Sequence, residues 1–217
     1  MPEWDRNRAV DRIERLVETV ETDRMPVPVT EIWVYGEVAL GLDPVGRLDV
    51  YLTKDILLGK DQETADRSAD THSVEGIGQT VRADWADSHP EYVRTNAGGY
   101  AAPERCLAAH LLEDDEPIHL EVCNASFEDN VTQRVRGALA RESYEEILDP
   151  RGVCLWLNGR RAPDSFEKLR NGEYVFPTLP NALEMLGLES KQAQQAASTI
   201  EEFRQSRSGS SVRGDVV

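Results

Sequence analysis

Lysine is nearly missing from this chain of 217 residues. Only Lys54, Lys60, Lys168 and Lys191 carry it, so arginine supplies the other 20 of the 24 basic residues. Cysteine is scarce as well. Cys106, Cys123 and Cys154 are odd in number, widely spaced and without a CxxC pair, which argues against a disulfide framework and a structural zinc site. His72, His89, His110 and His119 show no HExxH or related ligand spacing. No apolar run approaches the ~18 residues needed to cross a bilayer. Met1 to Arg6 lacks the basic and apolar regions of a signal peptide, so the expectation is a cytoplasmic protein with no membrane partner. The GxSxG elbow, the P-loop lysine and a GxGxxG after a strand are missing too, and no nucleophile stands out.

What the chain has in excess is acid. It carries 40 Asp and Glu, for a net charge of −16, and these are dispersed along its length rather than held in one tail. Such a charge repels itself and destabilises the compact state in ordinary buffer. Molar salt shortens the Debye length to about 3 Å and removes most of that repulsion. Few strongly hydrated lysines, with arginine kept for bidentate pairing, fit the same environment. The expectation is a halophilic protein of an acidic proteome. With 40% hydrophobic residues it can bury a core, as one large domain or one domain with a small appendage.

Periodicity predicts a helix over residues 5–24, with Val10, Ile13, Leu16, Val17 and Val20 on one face. Strands are predicted at Thr30–Tyr35 and at 47–53, where Leu48, Val50 and Leu52 alternate with Arg47, Asp49 and Tyr51. Residues 59–80 read as an exposed connection, followed by a short helix around Asp84–Ser88 and another at Pro103–Leu112. A strand at Ile118–Cys123 precedes a helix from about Ser126 to Leu148, opened by a capping-box variant. Val153–Leu157 is a strand closed by Asn158-Gly159, with residues 174–176 a candidate hairpin partner. Helices at about 179–186 and 190–205 flank Gly187, and the Ser-rich tail from 206 reads as disordered. The organisation expected is an α/β (α+β) core over residues 1–150, a mixed sheet with flanking helices. A hairpin and helical extension over 151–205 pack on it, before a disordered 206–217.

One segment suggests chemistry: Ile32-Trp33-Val34-Tyr35-Gly36-Glu37-Val38-Ala39-Leu40-Gly41, then Arg47-Leu48-Asp49-Val50-Tyr51-Leu52. Helix, strand, Gly-centred turn and second strand resemble the opening of a minimal nucleotidyltransferase of the polymerase-β superfamily. Gly36, Ala39 and Gly41 fall at matching places, and Asp49 matches the second acid of the family's Asp-hydrophobic-Asp pair. Glu37 stands where the family has Ser, and Arg47 where it has the first Asp. The resemblance implies a nucleotidyltransferase-like core with a nucleotide site at Gly36, Glu37, Asp49 and Glu121. Asp49 and Glu121, with Asp43 or Glu37 as a further candidate, would be the ligands of a Mg²⁺ ion if catalysis survives. Two carboxylates on one sheet face can share a divalent cation that binds a triphosphate, and an arginine at position 47 repels that cation or pairs with Asp49. The chain also resembles a haloarchaeal protein family, chiefly across Tyr35–Asp55 and Glu121–Cys154, a likeness that carries no activity with it.

Residues 130–141 hold Arg134, Arg136 and Arg141 and no acid. They are candidate phosphate or RNA contacts, or else partners of carboxylates elsewhere in the fold. Residues 181–205 have the outline of a helix-turn-helix but few bases, so a helical hairpin packed on the sheet or on a protein partner is expected, and no DNA. Cys106 and His110, one turn apart in an Ala/Leu-rich helix, read as buried structure rather than as an activated thiol. Three functions follow as expectations: a catalytically degenerate nucleotide- or RNA-binding protein, an active Mg²⁺-dependent transferase, or an interaction module using its C-terminal helices.

Overall fold

The computed structural model describes residues 4–23, 25, 27–55, 103–113, 116–206, 209 and 211–214. The expected connection at 59–80 and the short helix at 84–88 lie outside them. Helix α1 (Arg6–Thr22) begins where the Asp5 carboxylate accepts from the Arg8 N–H at 2.8 Å. Strands β1 (Val29–Tyr35) and β2 (Leu48–Lys54) follow, then α2 (Pro103–Leu111), β3 (Ile118–Cys123) and α3 (Phe127–Arg141). The remainder is β4 (Gly152–Leu157), β5 (Arg160–Arg161), α4 (Pro163–Asn171), α5 (Leu179–Met185), α6 (Ser190–Gln205) and β6 (Ser211–Arg213).

These form the α+β class expected, around one mixed sheet ordered β5-β4-β1-β2-β3-β6. β1 is antiparallel to β2 and to β4, whereas β2–β3 and β3–β6 run parallel. All seven residues of β2 are buried, so both sheet faces are covered and the polar alternate positions have no water to face. One face carries Ile32, Val34, Val50, Leu52, Leu120 and Leu155 against α1, α2 and α4. The other carries Trp33, Tyr35, Tyr51 and Cys123 against Phe127 and Val131 of α3. A third cluster joins Val135 and Ala138 of α3 to Leu183 of α5 and Ala193, Ala196 and Ile200 of α6. The C-terminal helices thus use their apolar face within the chain. No helix among the described residues is long and apolar enough to cross a membrane.

Four local differences have physical causes. α3 ends at Arg141 rather than near 148, because Glu142 takes a left-handed conformation and caps Ala138. The partner of β4 is β5, not 174–176. Asn158 and Gly159 both have positive φ, the geometry of a two-residue turn that returns the chain at once. Proline in the first turn and a left-handed Gly172 bound α4, a helix whose buried face is only Phe166 and Leu169. Within the tail expected to be disordered, Ser211–Arg213 form β6, since the edge of β3 accepts a parallel strand.

Candidate functional site: an arginine–carboxylate cleft

The site grows from the end of β1. Gly36 has φ +70° and opens a turn in which the Leu40 N–H reaches the Gly36 carbonyl at 2.9 Å. A Cβ on Gly36 would overlap the Arg204 guanidinium and the Asp49 carboxylate, so glycine leaves room for both. Glu37 turns away to the backbone, accepting from the N–H groups of Gly46 at 2.6 Å and Arg47 at 3.0 Å. It fixes the entry to β2 and is not among the cleft-lining residues.

Asp49 is completely buried. Its Oδ1 accepts from Arg47 Nε at 2.7 Å, with Arg47 Nη2 at 2.5 Å, and its Oδ2 accepts from Arg204 Nη2 at 2.6 Å. Arg204 reaches on to Asp149 Oδ2 at 3.1 Å, which Arg151 holds through both Nε and Nη2 at 2.9 and 2.8 Å. The result is an alternating row, Arg47–Asp49–Arg204–Asp149–Arg151. A second row is centred on Glu121 of β3, one strand over. Its Oε1 takes Arg134 Nη2 at 2.5 Å and lies 3.4 Å from Arg213 Nε. Its Oε2 takes the Tyr35 hydroxyl at 3.3 Å and lies 3.4 Å from His119 Nε2. Arg213 also reaches Glu146 at 3.4 Å.

Between the rows lies a cleft of about 30 Å³, room for little more than a water molecule. Burial alone would raise the Glu121 carboxyl, but the His119 hydrogen bond and the Arg134, His119 and Arg213 charges overcome it and hold it at about 2. The Tyr35 phenol is pushed well up by burial, then by Glu121 and Asp49. At neutral pH Glu121 is therefore ionised and Tyr35 protonated, an arrangement that holds charge rather than passing protons.

The structure brings Gly36, Asp49, Glu121 and Arg134 together. Glu37, Arg136 and Arg141 fall elsewhere: Arg136 and Arg141 are exposed, and Arg141 reaches Glu146, at 3.4 Å. Sequence reasoning missed Tyr35, His119, Asp149, Arg151 and Arg213 as site residues and noted Arg204 only as one of few bases in its helix. Their one sequence signal is the Asp149-Pro150-Arg151 triplet. Burial, then Glu104, pushes the Cys106 thiol up to about 12, so it is protonated at neutral pH.

A divalent metal does not fit these residues. Both oxygens of Asp49 and both of Glu121 are already met by cationic or hydrogen-bonding groups, and a guanidinium 2.7 Å from the oxygen a metal would use excludes it by charge and by volume. Among the described residues no three His, Cys, Asp or Glu side chains group as metal ligands.

Fold and site together define an α+β protein with a paired-charge cleft at the crossing of β1, β2 and β3. The chain belongs to DUF7095, a family of unknown function, whose model matches residues 5–217. No curated protein and no solved structure matches it.

Proposed function

We propose that this is a catalytically degenerate nucleotidyltransferase-like protein that binds nucleotide or RNA phosphate without metal, in the cytoplasm of a salt-adapted cell. The observation that carries the reading is the pair of guanidinia, Arg47 and Arg204, on Asp49, where the resemblance would put a cation. Supporting it, β1 runs antiparallel to β2 and β2 parallel to β3, with Asp49 and Glu121 on one face. Arg47 also keeps a buried Nη1 with no acceptor among the described residues, and a phosphate oxygen would supply one. The acidic surface and scarce lysine support the salt-adapted setting.

The test is thermal unfolding in about 2 M KCl, where self-repulsion is screened, with nucleoside triphosphates or short RNA, each with Mg²⁺ or with EDTA. Ligand at 100 times its dissociation constant adds about 2.7 kcal/mol. The expected result is the same upward shift in Mg²⁺ and in EDTA, reduced in Arg47→Ala when each protein is compared with its own ligand-free melt. A shift that needs Mg²⁺, with transfer of a labelled nucleotide, would establish an active transferase instead. No shift with any nucleotide or RNA would end the binding reading.

A further inference from the structure

The row Arg47–Asp49–Arg204–Asp149–Arg151 begins and ends on a guanidinium, so it sets three cations against two carboxylates. Asp49 and Asp149 are fully buried, and the side chains of Arg47, Arg151 and Arg204 are only 14, 12 and 19% exposed. One positive charge is left over in a place that water barely reaches. The second row does not cancel it. Arg134 and Arg213 share Glu121, and the acid that would balance them, Glu146, is 42% exposed and also meets Arg141. Glu145, the remaining acid of the cleft, is exposed. The donors tell the same story. Arg151 Nη1 reaches the Pro177 carbonyl at 3.5 Å, and Arg204 divides Nη1 and Nη2 between Asp149 and Asp49. Arg47 turns Nε and Nη2 to Asp49, and of the cleft's side chains its Nη1 alone is buried without an acceptor among the described residues.

From this we infer that the cleft takes one monatomic anion, a chloride, on Arg47 Nη1. A buried cation without a counterion is costly, and an anion beside it restores the pairing. The excess charge and the unmet donor lie at the same end of the row, so a halide there continues the alternation of signs. Size selects the ion. The cleft of about 30 Å³ has room for little more than a water molecule, which a halide matches and a carboxylate or nitrate exceeds. Water would accept the N–H but leave the charge unmatched. The guanidinia exclude a metal cation. A phosphate can enter this space only by a single oxygen, so phosphate and chloride compete for the one donor. The halide site goes beyond the nucleotide reading and does not rest on it.

The experiment follows thermal unfolding of the full-length chain at constant ionic strength, about 1 M potassium salt, as chloride replaces gluconate, an anion too large for the cleft. Bulk salt effects change in proportion to composition, whereas a site saturates. The midpoint should rise and level off. Chloride at ten times its dissociation constant should raise the folded-to-unfolded ratio about elevenfold. Arg47→Gln leaves two guanidinia on two aspartates, a balanced row, so this variant should fold and lose the saturable rise. A rise strictly proportional to chloride, or none, would overturn the site. So would a saturable rise that Arg47→Gln retains. Crystals of the unmodified chain grown in bromide answer the question without a variant. One anomalous peak within hydrogen-bond reach of Arg47 Nη1 is expected, and its absence there would overturn the inference. No nucleotide is present in either measurement. A failed halide site therefore leaves the phosphate reading standing, and a chain that binds chloride but no nucleotide or RNA refutes that reading alone.

Discussion

The two faces of the sheet are built from the same strands by opposite chemistry. On one, Ile32, Val34, Val50, Leu52 and Leu120 meet the aliphatic stripes of α1 and α2, with the Arg12–Glu116 pair as a polar insertion. On the other, aromatic stacking gives way to two rows of buried ions. Trp33 stacks on Phe127 with ring centroids 4.8 Å apart, and within a few residues the face becomes Asp49, Glu121 and their guanidinia. The aliphatic face gains from each buried group independently, in proportion to area. The ionic face gains only when complete, because every buried charge depends on a partner brought from another element. A fold designed for stability alone does not need the second kind, which is why the ionic face is the candidate site.

That contrast is sharpest at single residues. Asp49→Ala leaves Arg47 and Arg204 buried together without their shared anion, and the expected loss is about 3–5 kcal/mol in chemical denaturation. Leu120→Ala, at a fully buried position whose side chain is on the aliphatic face, should cost about 3 kcal/mol. The distinguishing measurement is the response to KCl. The Leu120 deficit should hold constant, while the Asp49 deficit should vary with salt. Equal behaviour would erase the distinction between the faces.

Acid titration separates the faces next. Glu121 is held at about 2, against an ordinary value of 4.5. Its folded-state pKa is depressed, so its contribution is fully present above 4.5 and disappears as pH falls from 4.5 toward 2. At about 1.4 kcal/mol per unit, the stability lost across that window is roughly 3 kcal/mol. Glu121→Gln should flatten the window while Leu120→Ala leaves its shape unchanged, as followed by denaturation midpoints between pH 2 and 6. The smallest effect is expected outside the cleft. Arg141 and Glu146 form a pair with side chains 60% and 42% exposed, so Arg141→Ala should change stability by less than about 0.5 kcal/mol. A larger loss would extend the ionic face to the surface of α3.

Much of the fold was legible in the residues. The alternation of Leu48, Val50 and Leu52 marked β2, and Ile118–Cys123 coincides with the strand observed. The cap of α3 lies at Ser126, where the capping-box variant predicts it. β5 and β6 were hidden because two- and three-residue elements carry too little periodicity to stand above chance, and α4 because only Phe166 and Leu169 mark its buried face. Of the candidate site, the pairing of Arg47 with Asp49 could be read because Arg47 enters β2 two residues before Asp49, close enough in extended chain to share its side. Arg134 was found as part of an acid-free stretch, but Arg136 lies on the opposite side of the helix from Arg134, and Arg141, on the same side, lies two turns further along and meets Glu146.

By itself, then, the sequence determined much of the local conformation, the acidic composition and the placing of acids on strands, which depend on the residues themselves and on neighbours a few positions away. The tertiary structure alone decided which guanidinium meets which acid. Arg204 finds Asp49 across 155 residues of chain and Asp149 across 55, and Arg213 reaches Glu121 only because β6 adds to the edge of β3. Ion pairing has no sequence period. Attraction acts over a few ångströms, and it is the order of strands and the packing of α6 on α3 that bring the charges within that distance.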